Sequence, residues 1–362
     1  HLAPWDPPVE WVGPWRGPDP APRTLSQLTG WWTGVTAGDF DGDGRMDLVV
    51  GNFGLNCAQA EFLKGGLRVY HGDVDGNGVW DLIEGYRDPQ RGKEVPWRDW
   101  RTMRGAIPRV GEQFASYRAY GQATVEEIAG DGFKALERLQ VNVLESVVLL
   151  NRGDHLQARA LPREAQVAPV HALCVGDYDG DGREDLFLSQ NFFGTDLETG
   201  RYDAGRGLWL KGDGHGGFEA VDGALSGVKV YGDQRGAALA DYDGDGRVDL
   251  VVTQNGAATR LFHNRGARPG IRVKLAAGGN NPAGFGAVMR LGDDQGWGPA
   301  RELHAGSGYY SQESPVQVLT FPRPSPSRLL IRWPGGRSTT TPLPANSSSL
   351  LISNDGSPTQ AP

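Results

Sequence analysis

Four short acidic segments set the tightest limit on what this chain can fold into. They run Asp39-Phe40-Asp41-Gly42-Asp43-Gly44-Arg45-Met46-Asp47, Asp73-Val74-Asp75-Gly76-Asn77-Gly78-Val79-Trp80-Asp81, Asp177-Tyr178-Asp179-Gly180-Asp181-Gly182-Arg183-Glu184-Asp185 and Asp241-Tyr242-Asp243-Gly244-Asp245-Gly246-Arg247-Val248-Asp249. Each follows D-x-D-x-[DN]-G-x-x-D, and a leucine (Leu48, Leu82, Leu186, Leu250) comes next every time. Side chains at positions 1, 3 and 5 converge when the backbone curls round one point, and the glycine at position 6 takes the sharp turn. The position-7 carbonyl (Arg45, Val79, Arg183, Arg247) and the position-9 aspartate complete a shell of roughly five to seven hard oxygens, a set that suits Ca2+ better than Mg2+ or a transition metal. About four calcium sites are expected.

The flanks exclude an EF-hand, which needs a helix on each side and a bidentate glutamate at position 12. Leu48-Val-Val-Gly, Leu82-Ile-Glu-Gly, Leu186-Phe-Leu-Ser and Leu250-Val-Val-Thr follow the loops and read mostly as strands, as do the segments before them. Each loop is therefore expected at the tip of a β-hairpin. The aspartates of the four loops are 15 of the 44 acidic residues in a chain of formal charge −8. Bare carboxylates packed that closely repel one another. Four Ca2+ would bring the net charge to about zero, so calcium is expected to act as a folding cofactor.

The first, third and fourth loops begin 138 and 64 residues apart, and 138 is twice 69. That period fits a propeller blade of four antiparallel strands. Leu144–Gly153, Gly207–Phe218 and Arg260–Gly266 share one shape, an apolar strand running into Asn or Asp and then Gly. With these strands the loops resemble FG-GAP/VCBS repeats, the units of integrin-α-type propellers. Asn281-Pro-Ala-Gly284-Phe-Gly286-Ala287, Gly306-Ser-Gly308-Tyr309-Tyr-Ser311-Gln312 and Ile331-Arg-Trp333-Pro334-Gly-Gly336 are similar to the ASPIC/UnbV domain of the cartilage acidic protein family and its bacterial relatives. The resemblance implies an all-β fold: β-propeller blades with calcium-binding hairpin loops, a helical insertion and a C-terminal β-sandwich-like domain. It also implies a protein that is secreted, extracellular or periplasmic, or at the cell surface.

The expected organisation is a Pro/Trp-rich extended segment over 1–30, blades over 31–270, the β-domain over 271–353 and a flexible tail over 354–362. The second loop departs from the period, starting only 34 residues after the first. At this period 31–270 supply about four blades, fewer than propellers usually close with, so a protein partner or another chain is expected to complete the ring. Residues about 88–140 break the β-pattern with stretches that read as short helices or turns, Phe133–Leu139 among them, and Thr124 with Glu127 fits a capping box.

Nothing in the chain reads as a catalytic centre: there is no HExxH, GxSxG, P-loop or dinucleotide fingerprint in context. The seven histidines (1, 71, 155, 171, 215, 263, 304) show no metal-ligand spacing, and Cys57 and Cys174 fit no zinc or redox motif. His1, as a free terminus, could chelate copper, though a processing boundary is the plainer reading. No signal peptide is recognisable at the start. The acidic balance gives nucleic-acid binding no electrostatic support, and no apolar run is long enough for a membrane helix. Three functions fit the residues: an extracellular binding or assembly module with structural calcium, a calcium-dependent lyase-like enzyme on polysaccharide, or a structural subunit of a cell-surface complex. The tryptophan-rich segment (Trp5, Trp11, Trp15, Trp31, Trp32) with Tyr309 and Tyr310 leaves carbohydrate as a possible ligand.

Overall fold

The computed structural model describes residues 3–323 and 325–360, so His1 and its copper reading lie outside the described residues. The fold is mostly β and forms two compact units. One is built from the residues up to Asp6, Gly13–Trp31 and Cys57–Leu144; the other from Pro7–Val12, Trp32–Asn56 and the residues from Glu145 onward.

In the second unit, β1 (Val9–Val12) precedes a hairpin of β2 (Gly34–Gly38) and β3 (Asp47–Gly51) that closes around the first acidic loop, with Gly38 opposite Asp47. The chain then enters the other unit. There β4 (Leu67–Gly72), β5 (Asp81–Arg87) and β6 (Glu94–Pro96) lead into short helices α1 (Trp100–Ala106), α2 (Arg109–Gln113), α3 (Tyr117–Gly121) and α4 (Val125–Ala129), followed by β7 (Glu137–Val141). The sheet order is β6-β5-β4-β7, and the second acidic loop joins β4 to β5. Ile83, Met103, Ile107, Val110 and Ile128 form the core between this sheet and the helices. The capping box at Thr124 is made: Glu127 N–H donates to Thr124 Oγ1 at 3.1 Å, and Thr124 N–H to Glu127 Oε2 at 2.7 Å.

The chain returns through β8 (Val147–Asn151) and β9 (Leu156–Ala160), which finish the first blade-like sheet in the order β1-β9-β8-β3-β2. A second sheet holds β10 (Val170–Gly176), β11 (Asp185–Gln190), β12 (Leu208–Gly212) and β13 (Phe218–Val221). Helix α5 (Gly223–Ser226) leads into a third sheet of β14 (Asp233–Ala240), β15 (Asp249–Asn255) and β16 (Ala257–Phe262). The third and fourth acidic loops join β10 to β11 and β14 to β15, with Gly176 opposite Asp185 and Ala240 opposite Asp249.

Two expectations change here. The 138-residue interval holds no extra blade: the insertion spans Cys57–Leu144, splits the first blade between β3 and β8, and carries the second loop in a sheet of its own. Three blade-like sheets, not four, stand among the described residues. The stretch Phe133–Leu139, expected as a short helix or turn, divides into a 3-10 turn (Gly130–Ala135) and β7, whose Leu139 pairs with Val69 of β4. Register against β4 outweighs local helix preference there.

From β17 (Ile271–Ala276) onward the chain builds a sandwich. β18 (Val288–Asp293), β19 (Gly296–Trp297), β20 (Arg301–Glu302), β22 and β23 form one sheet, and β17, β21, β24 and β25 the other; β21 is Val316–Leu319, β22 Arg328–Arg332, β23 Ser338–Pro342, β24 Ser349–Ser353 and β25 Pro358–Gln360. Val273, Met289, Leu329, Ile331 and Ile352 lie between the two sheets. The tail expected to be flexible is in part ordered, because β25 turns back and pairs with β24.

His171 on β10 is 8% exposed and its Nε2 has no hydrogen-bond partner among the described residues. Tyr309 packs edge-on against it at 5.4 Å. Burial first, then the Arg235 charge, pushes its pKa down to about 4, with Asp233 acting weakly in the other direction. An imidazole held below its unfolded value supports folding above pH 6.5, and that support is lost as pH falls from 6.5 through 4. At about 1.4 kcal/mol per unit, the loss approaches roughly 3 kcal/mol at the acid end. His171→Phe should flatten this limb of a urea-midpoint profile against pH; equal slopes in the two proteins would overturn the assignment.

Candidate metal centres

Every acidic loop is tied at its base by its ninth residue. The Oδ2 of Asp47, Asp81, Asp185 and Asp249 accepts the position-2 N–H of Phe40, Val74, Tyr178 and Tyr242 at 2.9, 3.0, 2.9 and 3.1 Å. In the three blade-like sheets the other oxygen accepts an N–H from the end of the third strand: Asn151, Gly212 and Asn264 at 2.7, 2.9 and 2.7 Å. This aspartate thus clips three strands together. Burial dominates its titration, pushing Asp47 up to about 7 and Asp185 up to about 8, with neighbouring aspartates adding to the rise. A bare carboxylate here lacks a compensating cation.

The first aspartate gathers the loop itself. Asp177 accepts from Gly180 and Asp181 N–H on Oδ1 and from Gly182 N–H on Oδ2; Asp73 and Asp241 repeat the pattern. Both loop glycines sit at positive φ, for example Gly180 at 76° and Gly182 at 89°, which L-residues resist. Asp39 differs: Oδ2 accepts from Gly44, while Oδ1 is buried with no partner among the described residues.

Three of these loops lie under the C-terminal sandwich. Ala300 N–H donates to Asp39 Oδ2 at 2.7 Å, the Thr320 hydroxyl donates to Asp177 Oδ2, and Arg272 pairs with Asp241 Oδ2 at 2.8 Å. Loop carbonyls are held as well, Gly180 by Arg268 Nε at 2.9 Å and Gly246 by Gly270 N–H at 2.8 Å. One oxygen each of Asp39, Asp177 and Asp241 therefore ties blade to sandwich.

Comparison with protein families settles what these parts are. The family model for the FG-GAP-like repeat matches residues 10–50 and 177–252, and that for ASPIC and UnbV matches residues 277–358. The chain carries FG-GAP-like repeats and a C-terminal ASPIC/UnbV domain. No curated protein matches it. The repeat matches take in the first, third and fourth loops and pass over the second, in keeping with its place inside the insertion. The architecture suggests an extracellular-type binding or structural module, and no helix among the described residues is long and apolar enough to cross a membrane.

Several acidic groups in and beside the FG-GAP repeats could bind a metal ion. Carboxylate oxygens of Asp39, Asp41 and Asp43 lie within 4.8 Å of one another, as do those of Asp73, Asp75 and Asp81, of Asp177, Asp179 and Asp185, and of Asp241, Asp243 and Asp249. Asp47, Asp181 and Asp245 stand outside those four triads, although Asp245 groups with Asp243 and His263. Asn77 turns its amide oxygen back onto Val79 N–H at 2.7 Å, and Arg45, Arg183 and Arg247 donate their N–H groups to the position-5 aspartates.

Basic side chains reach these carboxylates from the third strands and turns. Arg152 pairs with Asp41, Lys211 with Asp179 and Asp181, and His263 Nε2 with Asp243 at 2.9 Å. Sequence spacing concealed them, because a cross-strand neighbour such as His263 is set by register and not by distance along the chain. A readable trace exists all the same: Asn151-Arg152-Gly153 and Asn264-Arg265-Gly266 recur at the end of the third strand.

Removing the clip has a defined cost. Asp249→Ala leaves the N–H groups of Tyr242 and Asn264 without their acceptor and should lower the unfolding free energy by about 2–4 kcal/mol. Asp249→Asn keeps one acceptor oxygen and should lose about half as much. Urea denaturation of the two variants checks both; a loss within about 0.5 kcal/mol for the alanine variant refutes the clip.

Proposed function

We propose that this chain is a secreted binding or assembly module whose FG-GAP loops, with the related loop of the insertion, hold structural Ca2+. Asp39 carries the reading. It is 1% exposed, its Oδ1 has no partner among the described residues, and Asp41 and Asp43 present further oxygens within 4.8 Å. Desolvating a carboxylate oxygen without a partner is costly, and a hard cation among three carboxylates offsets that cost. Asp75 and Asp81 beside Asp73, Asp179 and Asp185 beside Asp177, and Asp243 and Asp249 beside Asp241 offer the same donor chemistry.

Calcium supplies charge neutralisation at these loops. The chain's own residues do the rest: position-9 aspartates fix the strands, and Ala300, Thr320 and Arg272 seat the ASPIC/UnbV domain on the loops. Arg152 and Lys211, which reach the loop carboxylates, are ion-paired to them, which favours a structural role over proton abstraction. The repeat and domain types support an extracellular setting, where abundant calcium would keep such sites filled.

With a dissociation constant of about 10 μM, 1 mM calcium would stabilise the fold by roughly 2.7 kcal/mol per site. Titration calorimetry on chelator-stripped protein should show calcium uptake, and thermal melts should rise on adding calcium and fall on chelation. Asp39→Ala should abolish one site while leaving the others. No heat of binding and an unmoved melt would sink the proposal. Lys211→Gln should tighten binding at the third loop, since it removes a cation from Asp179 and Asp181.

A further inference from the structure

The third FG-GAP sheet is one strand short. Its turn starts as the first sheet's does, with Asn264-Arg265-Gly266 in the place of Asn151-Arg152-Gly153. After Asn151 the chain returns as β9, and after β12 it returns as β13. After Asn264 it leaves for the ASPIC/UnbV domain, so among the described residues β16 pairs with β15 alone. Five of the six residues of β16 are exposed.

The vacant position is recognisable from the sheet before it. The position-9 aspartates make Gly212 and Asn264 equivalent, since each donates its N–H to one of them. Phe218 of β13 stands opposite Gly212 and packs edge-on against Phe40, the second residue of the preceding loop, at 5.2 Å. Glu219 stands opposite Lys211. At the corresponding place against the third sheet, Tyr178 borders a cavity of about 450 Å3, with Trp209, Phe262, Leu225 and Asn264 also on its wall. The Trp209 indole N–H, buried, has no partner among the described residues. His263 and Arg265 give the rim basic groups.

We propose that a partner polypeptide donates the missing fourth strand, pairing with β16 and filling this cavity. It deepens the binding role proposed above by naming the surface, and rests on that role but not on calcium. The partner's chemistry follows from equivalence with β13. Opposite Asn264 it places an aromatic residue that reaches Tyr178, and opposite His263 an acidic one; small and branched apolar residues then face Phe262 and Leu261. Exposed strand edges accept such chains through main-chain hydrogen bonds, with alternate side chains giving selectivity.

The test uses the full chain, saturated with calcium, and a labelled synthetic peptide copying residues 213–222, which include β13. Micromolar binding by fluorescence anisotropy is expected, with at least tenfold slower amide exchange confined to 257–264. Replacing the phenylalanine of the peptide by alanine should weaken binding at least tenfold, and a scrambled peptide should not bind. In the protein, Leu225→Glu and Arg265→Glu place negative charge at the mouth of the cavity and should each weaken binding at least fivefold without moving the melt. Leu225 is 84% exposed, so its replacement leaves the core alone. No binding at 1 mM peptide, or protection outside β16, overturns the proposal. So does a dimer by sedimentation in which β16 is already protected, for then a second copy fills the place. Calcium titration without peptide reads the metal separately, so either idea can fail alone.

Discussion

The tertiary structure depends on carboxylates serving two masters. At each blade-like sheet, the first and last aspartates of a nine-residue loop accept backbone N–H groups that no strand can satisfy. The last clips the loop base to the end of the third strand; the first curls the loop on itself and reaches the ASPIC/UnbV domain. Buried N–H groups need acceptors, and few side chains other than aspartate offer two oxygens so close to the backbone. The cost is a dense negative charge in poorly solvated surroundings, visible in the raised titration of Asp47 and Asp185.

That charge accounts for the polar neighbours of the loops. Arg152, Lys211 and His263 approach from within the propeller-like part, Arg268 from the segment that leads out of it, and Arg272 and Arg290 from the sandwich, Arg290 donating to Gly42 O. The two domains consequently meet across charge and hydrogen bonds as well as across apolar surface such as Val318 against the third-sheet core. Glu184 and Arg301 add a buried ion pair to the same junction. Such a pair is strongly destabilising when one member is lost and contributes little when intact, so it serves register more than stability.

The insertion obeys the same local chemistry in another setting. Its loop closes a β4–β5 hairpin, Asp81 holds Val74, and Asp73 gathers three N–H groups. The third-strand bond seen at Asp47, Asp185 and Asp249 is not among those Asp81 makes in the described residues, because β6, the strand beside β5, pairs only with Gly85–Arg87 and stops short of the loop. A motif can thus be preserved where the third strand does not reach it. Local sequence specifies the loop, and the surroundings decide what it joins.

The hairpin loops, their flanking strands, the capping box at Thr124 and the all-β class were legible in the residues alone, since each follows from contacts within about a dozen positions. The sequence also marked the domain types, because the glycines and aspartates of their turns are fixed by backbone geometry. Blade number, the limits of the insertion and the ordered strand near the C-terminus were not legible: they depend on which strands meet after the chain has travelled far from itself. The same holds for Ala300 on Asp39, Thr320 on Asp177 and Arg272 on Asp241, partners separated by 261, 143 and 31 positions. Short-range sterics and hydrogen bonding shape a nine-residue loop by themselves; only long-range packing chooses what stands beside it, since no local pattern records a neighbour supplied from a distant part of the chain.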